Sequence, residues 1–268
     1  MDFSEDRPLY RLMEIARVLR MPGGCAWDRA QDYRSLRPYL IEEAYELYDA
    51  IDTGDPEHMK EELGDLLYQI YAHSQIASEE GTFDIDDVAA GIGEKLVRRH
   101  PHVFGDERVA SAAEVSDRWE QIKKKEKKNR ESALDGVPAH LPALLRAYRV
   151  QQKVSRLGFD WGNTEDAAGK LEEEVMEFHR AVNQGEADRI REEAGDVLFS
   201  VVNLLRLMDI DPETALRETT EKFMTRFRHM EGESGRLGRS LEDMDLEEME
   251  ELWQAAKERL SRDQLSKK

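Results

Sequence analysis

Lys170 to Asp196 reads KLEEEVMEFHRAVNQGEADRIREEAGD, two helical segments on either side of a short Asn183-Gln184-Gly185 turn. On the first segment Lys170, Glu174 and Glu177 fall at i, i+4 and i+7. On the second, Arg189, Glu193 and Asp196 repeat that spacing. At 3.6 residues per turn each triplet occupies one helix face. Folded back as a hairpin, the two faces bring four carboxylates together with a cation at the edge of each pair. Such a group repels itself and is costly to desolvate. A divalent cation is the usual compensation, and oxygen-only ligands favour Mg²⁺, with Mn²⁺ able to substitute. The competing reading is a solvated acidic face that binds nothing. Two features weigh against it: the carboxylates adjoin apolar positions (Leu171, Val175, Phe178; Ala194, Val197, Leu198), and the arrangement occurs twice.

Glu43, Glu46, Glu62 and Asp65 are followed 131 residues later by Glu174, Glu177, Glu193 and Asp196. Trp27 and Trp161 are 134 apart, as are Trp119 and Trp253. The chain is therefore a duplicated helical module rather than a short-period solenoid. The copies differ at their cations. Tyr39 and His58 stand where the second copy has Lys170 and Arg189, whereas Lys95 and Arg99 match Lys222 and Arg226. A triphosphate carries about four negative charges that cations or metal must offset, and Lys/Arg clamps also stabilise charge developing in phosphoryl transfer. The second copy is expected to hold the stronger catalytic site, and the first a weaker metal or nucleotide site or a role in assembly.

The rest of the chain reads as all-α. Charged residues make up 36% of it, and β-branched runs are few. Helices are expected over 8–20, 38–50, 56–79, 84–99, 112–128 and 141–156. The hairpin follows, then helices from Pro212 and after Asp245. Asp55-Pro56 and Asp211-Pro212 supply an N-cap followed by a first-turn proline, and Asp245 with Glu248 has capping-box spacing. This gives a module over 1–123, a linker over 124–140 and a second module over 141–268. The Trp27 loop admits a core plug or a lid over a flat ligand, and the plug is the ordinary role; residues 158–162 form a second loop with a Trp, Trp161. His100 and His102 flank Pro101 and read as solvated or capping residues rather than ligands. The lysines of 123–128 read as a solvated helix end. A formal charge of −19 disfavours nucleic acid or an anionic membrane as partner. The single Cys25 and the lack of a long apolar run or leader-like start fit a reducing cytoplasm.

Taken in order, and twice over, the motifs resemble the MazG nucleoside triphosphate pyrophosphohydrolases. They are Glu-Glu-x-x-Glu with Glu-x-x-Asp (Glu42, Glu43, Glu46 with Glu62, Asp65; Glu173, Glu174, Glu177 with Glu193, Asp196), Cys25-x-Trp27-Asp28, Arg98 to Phe104, and Glu221-Lys222-Phe223 with Arg226-Phe227. Ala26 departs from the proline usual in that loop. The resemblance spans nearly the whole chain. It implies a dimeric all-α fold of two tandem four-helix-bundle-like modules, built across subunits. It further implies hydrolysis of NTPs and dNTPs to monophosphate and pyrophosphate with broad base tolerance. By position, Glu174, Glu177, Glu193 and Asp196 would hold Mg²⁺, Lys170, Arg189, Lys222 and Arg226 would contact phosphates, and Trp253 the nucleotide. Glu173 would act as base or in an outer-shell role. A non-catalytic nucleotide- and metal-sensing module is the alternative. A di-iron bundle is disfavoured because neither hairpin has Glu-x-x-His.

Overall fold

The computed structural model describes residues 7–106 and 132–265, with isolated positions between them. The chain divides into two compact units, Met1–Lys128 and Asn129–Lys268. The described residues of each are helical, and no strand occurs among them. The helix expected over 112–128 and the lysines of 123–128 lie largely outside the described residues.

The first unit contains α1 (Pro8–Arg20), α2 (Ala26–Ala30), α3 (Tyr33–Thr53), α4 (Pro56–Glu79), α5 (Ile85–Arg99) and α6 (Pro101–Phe104). The antiparallel pair α3 and α4 is its centre, with α1 and α5 packed on α4. The second unit contains α7 (Ala143–Ser155), α8 (Thr164–Gln184), α9 (Ala187–Leu207), α10 (Pro212–Arg236), a 3₁₀ turn (Leu241–Asp243) and α11 (Leu246–Leu265). Here α8 and α9 form the hairpin, α7 lies on α9, and α10 packs with α11.

The hairpins bend at left-handed glycines, Gly54 (φ 70°) and Gly185 (φ 73°), which close the preceding helix through backbone N–H bonds. An alanine one turn earlier, Ala50 or Ala181, is fully buried, so each helix pair approaches closely at its turn end. The Asp55, Asp211 and Asp245 side chains accept the first-turn N–H bonds expected of them.

Three local expectations are corrected. The second helix starts at Tyr33, not near Pro38. Asp32 accepts the Arg34 and Ser35 N–H groups, and Ser35 Oγ accepts the Asp32 N–H, a complete capping box. Pro38 then sits inside the helix and offers no N–H to the Arg34 carbonyl. The Trp27 loop closes into the short α2, where Trp27 is 51% exposed and so is no core plug, and the His100–Phe104 turn closes into the single-turn α6. His100 is a capping residue, its Nδ1 2.7 Å from the Leu96 carbonyl. Among the described residues no helix is long and apolar enough to cross a membrane.

Candidate metal centre and nucleotide site

On the second hairpin one carboxylate oxygen from each of Glu174, Glu177 and Glu193 lies within 4.8 Å of the other two. Glu174 and Glu193 are buried, and Glu177 is half-buried. The helix spacing sets Lys170 and Arg189 against them. Lys170 Nζ is 2.7 Å from Glu174 and 3.1 Å from Glu173, and Arg189 is 3.6 Å from Glu193. The Glu174 and Glu173 carboxylates hold the Lys170 ammonium well above its ordinary pKa. Glu177 is paired outward with Arg180 at 3.1 Å. Asp196, the fourth residue of the expected quartet, is exposed and stands outside the close group of three. It lines a neighbouring cavity together with Lys170 and Glu174.

The first hairpin gathers Glu43, Glu62 and Asp65 within the same distance, with Glu46 close enough for its charge to act on Glu43 and Glu62. His58 lies against this cluster, its Nε2 3.2 Å from Glu62. Burial first, then the charges of Asp65, Glu46 and Glu62, push the Glu43 carboxyl up. Burial and Glu46 likewise push Glu62 up, against His58. Glu62 Oε2 is buried with no hydrogen-bond partner.

Both clusters fit a divalent cation. Their oxygens are close enough to share one ion at ordinary metal–oxygen distances, the donor set is all oxygen, and the Glu62 orphan is the kind of atom such an ion satisfies.

Lys222 and Arg226 lie on α10. Trp253 on α11 packs on Phe223 at 5.0 Å between ring centroids, with the Arg226 guanidinium 5.6 Å from its ring. Among the described residues neither cation is joined to the Glu174 cluster by a hydrogen bond or ion pair within its unit.

Beside the second cluster opens a cavity of about 570 Å³ between α7, α8, α9 and the Gly158–Trp161 loop. Trp161 lines it and is 43% exposed, so it forms a wall of this space. Asp160 and Arg206 form an ion pair at its rim. Deep in it is Gln151, 4% exposed, whose Nε2 donates to the Phe199 carbonyl at 2.8 Å. Sequence reasoning missed Gln151, Asn203 and Arg206. The internal repeat does flag Asn203, because the residue 131 positions earlier is Ala72.

Fold and site together define a class, an all-α protein organised around carboxylate pairs able to hold a divalent cation. Comparison with known proteins makes the class specific. The MazG nucleotide pyrophosphohydrolase domain matches residues 31–104 and again 163–231. The nucleoside triphosphate pyrophosphohydrolase/pyrophosphatase MazG of Thermotoga maritima is 47% identical over 92% of this chain and 94% of its own. The nucleoside triphosphate pyrophosphohydrolase of Escherichia coli K12 is 44% identical over 92% and 96%. A solved MazG-related protein from Thermotoga maritima aligns with 43% of this chain and 98% of its own at 29% identity, with a TM-score of 0.37. The chain belongs to the MazG nucleotide pyrophosphohydrolase family, with two tandem MazG domains.

Proposed function

We propose that this protein hydrolyses nucleoside and deoxynucleoside triphosphates to the monophosphate and pyrophosphate, with catalysis in the second module. The carrying observation is that both hairpins gather carboxylates, but only the second sets Lys170 and Arg189 directly on them. Glu174, Glu177 and Glu193 would hold Mg²⁺, or Mn²⁺ in its place, with Asp196 at the cavity side completing the set. The ion would lower the pKa of a bound water and offset phosphate charge.

The chain's own residues do the positioning. Lys170 and Arg189 exchange their carboxylate partners for phosphate oxygens as the nucleotide enters. Water oxygen then bonds to the α-phosphorus as the bond to the bridging oxygen breaks, and pyrophosphate leaves. Glu173, exposed and hydrogen-bonded to Lys170, is placed to take the water proton. Lys222 and Arg226 neutralise the leaving pyrophosphate, and Trp253 contacts the nucleotide. On this reading the working site is assembled in a homodimer, with Lys222 and Arg226 of one copy reaching the carboxylates of the other; that the two cations make no ion pair with the Glu174 cluster within their own unit supports it. A reducing cytoplasm, where such nucleotides are found, is the natural compartment.

The test is product analysis on a panel of NTPs and dNTPs with Mg²⁺, for wild type, Glu193→Gln and Glu62→Gln. Pyrophosphate release lost in Glu193→Gln and retained in Glu62→Gln is the expected result. The opposite pattern would move catalysis to the first module. Nucleotide binding with no pyrophosphate from any substrate would identify a sensor.

A further inference from the structure

We infer that the cavity beside the second carboxylate cluster takes the nucleobase, and that the Gln151 side-chain carbonyl accepts a hydrogen bond from an N–H on the base edge. The inference rests on the proposed hydrolysis for the orientation of the substrate. Lys170, Glu174 and Asp196 form one wall of the cavity, so a nucleotide with its phosphates there has its base directed inward. The volume, about 570 Å³, is that of a small-molecule site. Trp161 and Phe159 provide aromatic faces on which a base can stack.

The decisive atom is Gln151 Oε1. It is buried without a partner, whereas Nε2 of the same amide is committed to the Phe199 carbonyl. That bond fixes the amide orientation, so the free atom is an acceptor and calls for an N–H donor. Every ordinary base offers one on its pairing edge, whether amino or ring N–H. An acceptor at this depth therefore admits all of them and disfavours a base that lacks the donor. Broad tolerance and a hydrogen-bonded base are compatible at this site.

The first module is built differently. Its counterparts of Ala167, Asn203 and Leu207, each 131 residues earlier, are Leu36, Ala72 and Ile76. They close into a buried apolar cluster with Tyr68 against it, and the Tyr68 hydroxyl is tied to Asp28 at 3.0 Å. Of the three, Asn203 lines the cavity in the second module, whereas its counterpart Ala72 fills space in the first.

The test uses the full chain. Hydrolysis of ATP and CTP is compared with that of purine riboside triphosphate and pyrimidin-2-one riboside triphosphate, which lack the pairing-edge N–H. Binding of AMP and purine riboside monophosphate is measured separately by calorimetry, without turnover. Wild type is expected to favour the natural base by about tenfold or more in kcat/KM and in affinity. In Gln151→Leu, which keeps the volume, that ratio falls to about one through KM, with products unchanged. Trp161→Ala weakens AMP and its analogue alike, by about tenfold. Discrimination that persists in Gln151→Leu, or is absent from wild type, overturns the inference. If no triphosphate is turned over, the hydrolytic reading fails, and the monophosphate binding ratio still decides the base site. If Gln151→Leu does not fold, Trp161→Ala decides, and unchanged AMP affinity overturns the inference.

Discussion

Lys170 and Arg189 set opposite electrostatic conditions at two otherwise parallel clusters. In the second module Glu174 and Glu193 already have cationic partners, so the cluster is compensated before any ligand arrives. In the first module Glu43 and Glu62 repel one another and their neighbours, and the imidazole of His58 stands beside Glu62. A bare divalent cation gains more where no side-chain cation competes, whereas a triphosphate needs those cations. Lys170→Met is therefore expected to act in two directions. Nucleotide KM rises about tenfold as one charged contact is lost. Mn²⁺ alone binds the second cluster more tightly. Both are measured in a Glu62→Gln background, which weakens the first cluster as a competitor, by steady-state kinetics and by Mn²⁺ titration. Weaker Mn²⁺ binding in Lys170→Met would mean that the lysine orders the carboxylates rather than competing for them.

At the scale of elements, one side chain of α1 ties together several parts of the first unit. Arg20 donates to both oxygens of Glu79 on α4, at 2.9 and 3.1 Å from Nε, and to the Asp28 and Gln31 carbonyls. Its hydrogen bonds are the largest influence holding the Glu79 carboxyl below the usual range. A depressed carboxylate contributes stability that is present above its ordinary pKa and is lost as pH falls through the depressed value. Arg20→Met is expected to cost about 1–3 kcal/mol near neutrality, since it also strips two carbonyls of their donor. The difference from wild type should shrink as the pH is lowered through the acid range, as denaturant melts from pH 7 to pH 3 would show. A constant difference would assign the loss to packing of the arginine stem.

Much of this architecture was legible from residues with one strong local preference. Asp55-Pro56 and Asp211-Pro212 fix helix starts whatever surrounds them. Pro38 misled because its own preference is weaker than the capping box six residues earlier. The carboxylate faces were legible because helical spacing alone brings them together. Asp196 was read as equal to its neighbours, although the same periodicity leaves it on the exposed side of the group. Gln151 and Asn203 were not legible. Each sits in an ordinary amphipathic stripe, and only the packing of α7 on α9 turns them toward one cavity.

At the scale of the whole molecule, the second unit leaves apolar side chains uncovered on its site-bearing helices. Leu198 and Phe199 are exposed on α9, as are Phe223, Met224 and Phe227 on α10. Scattered exposed apolar residues need no explanation, but a run on the helices that carry the site is characteristic of a contact surface. A two-fold dimer would bury it and bring α10 of one copy to the carboxylates of the other. The expected species in sedimentation equilibrium is a dimer, and Leu198→Glu should shift it toward monomer with loss of hydrolysis. Complementation separates assembly from catalysis. Glu193→Gln and Lys222→Ala are each expected to be inactive. If Lys222 serves the partner's carboxylates, co-refolding equal amounts gives half heterodimers, each with one intact site, and activity returns to about a quarter of wild type. If both residues serve the same copy's site, every heterodimer site carries a lesion and the mixture stays inactive. That outcome would require α10 to close onto the hairpin of its own chain.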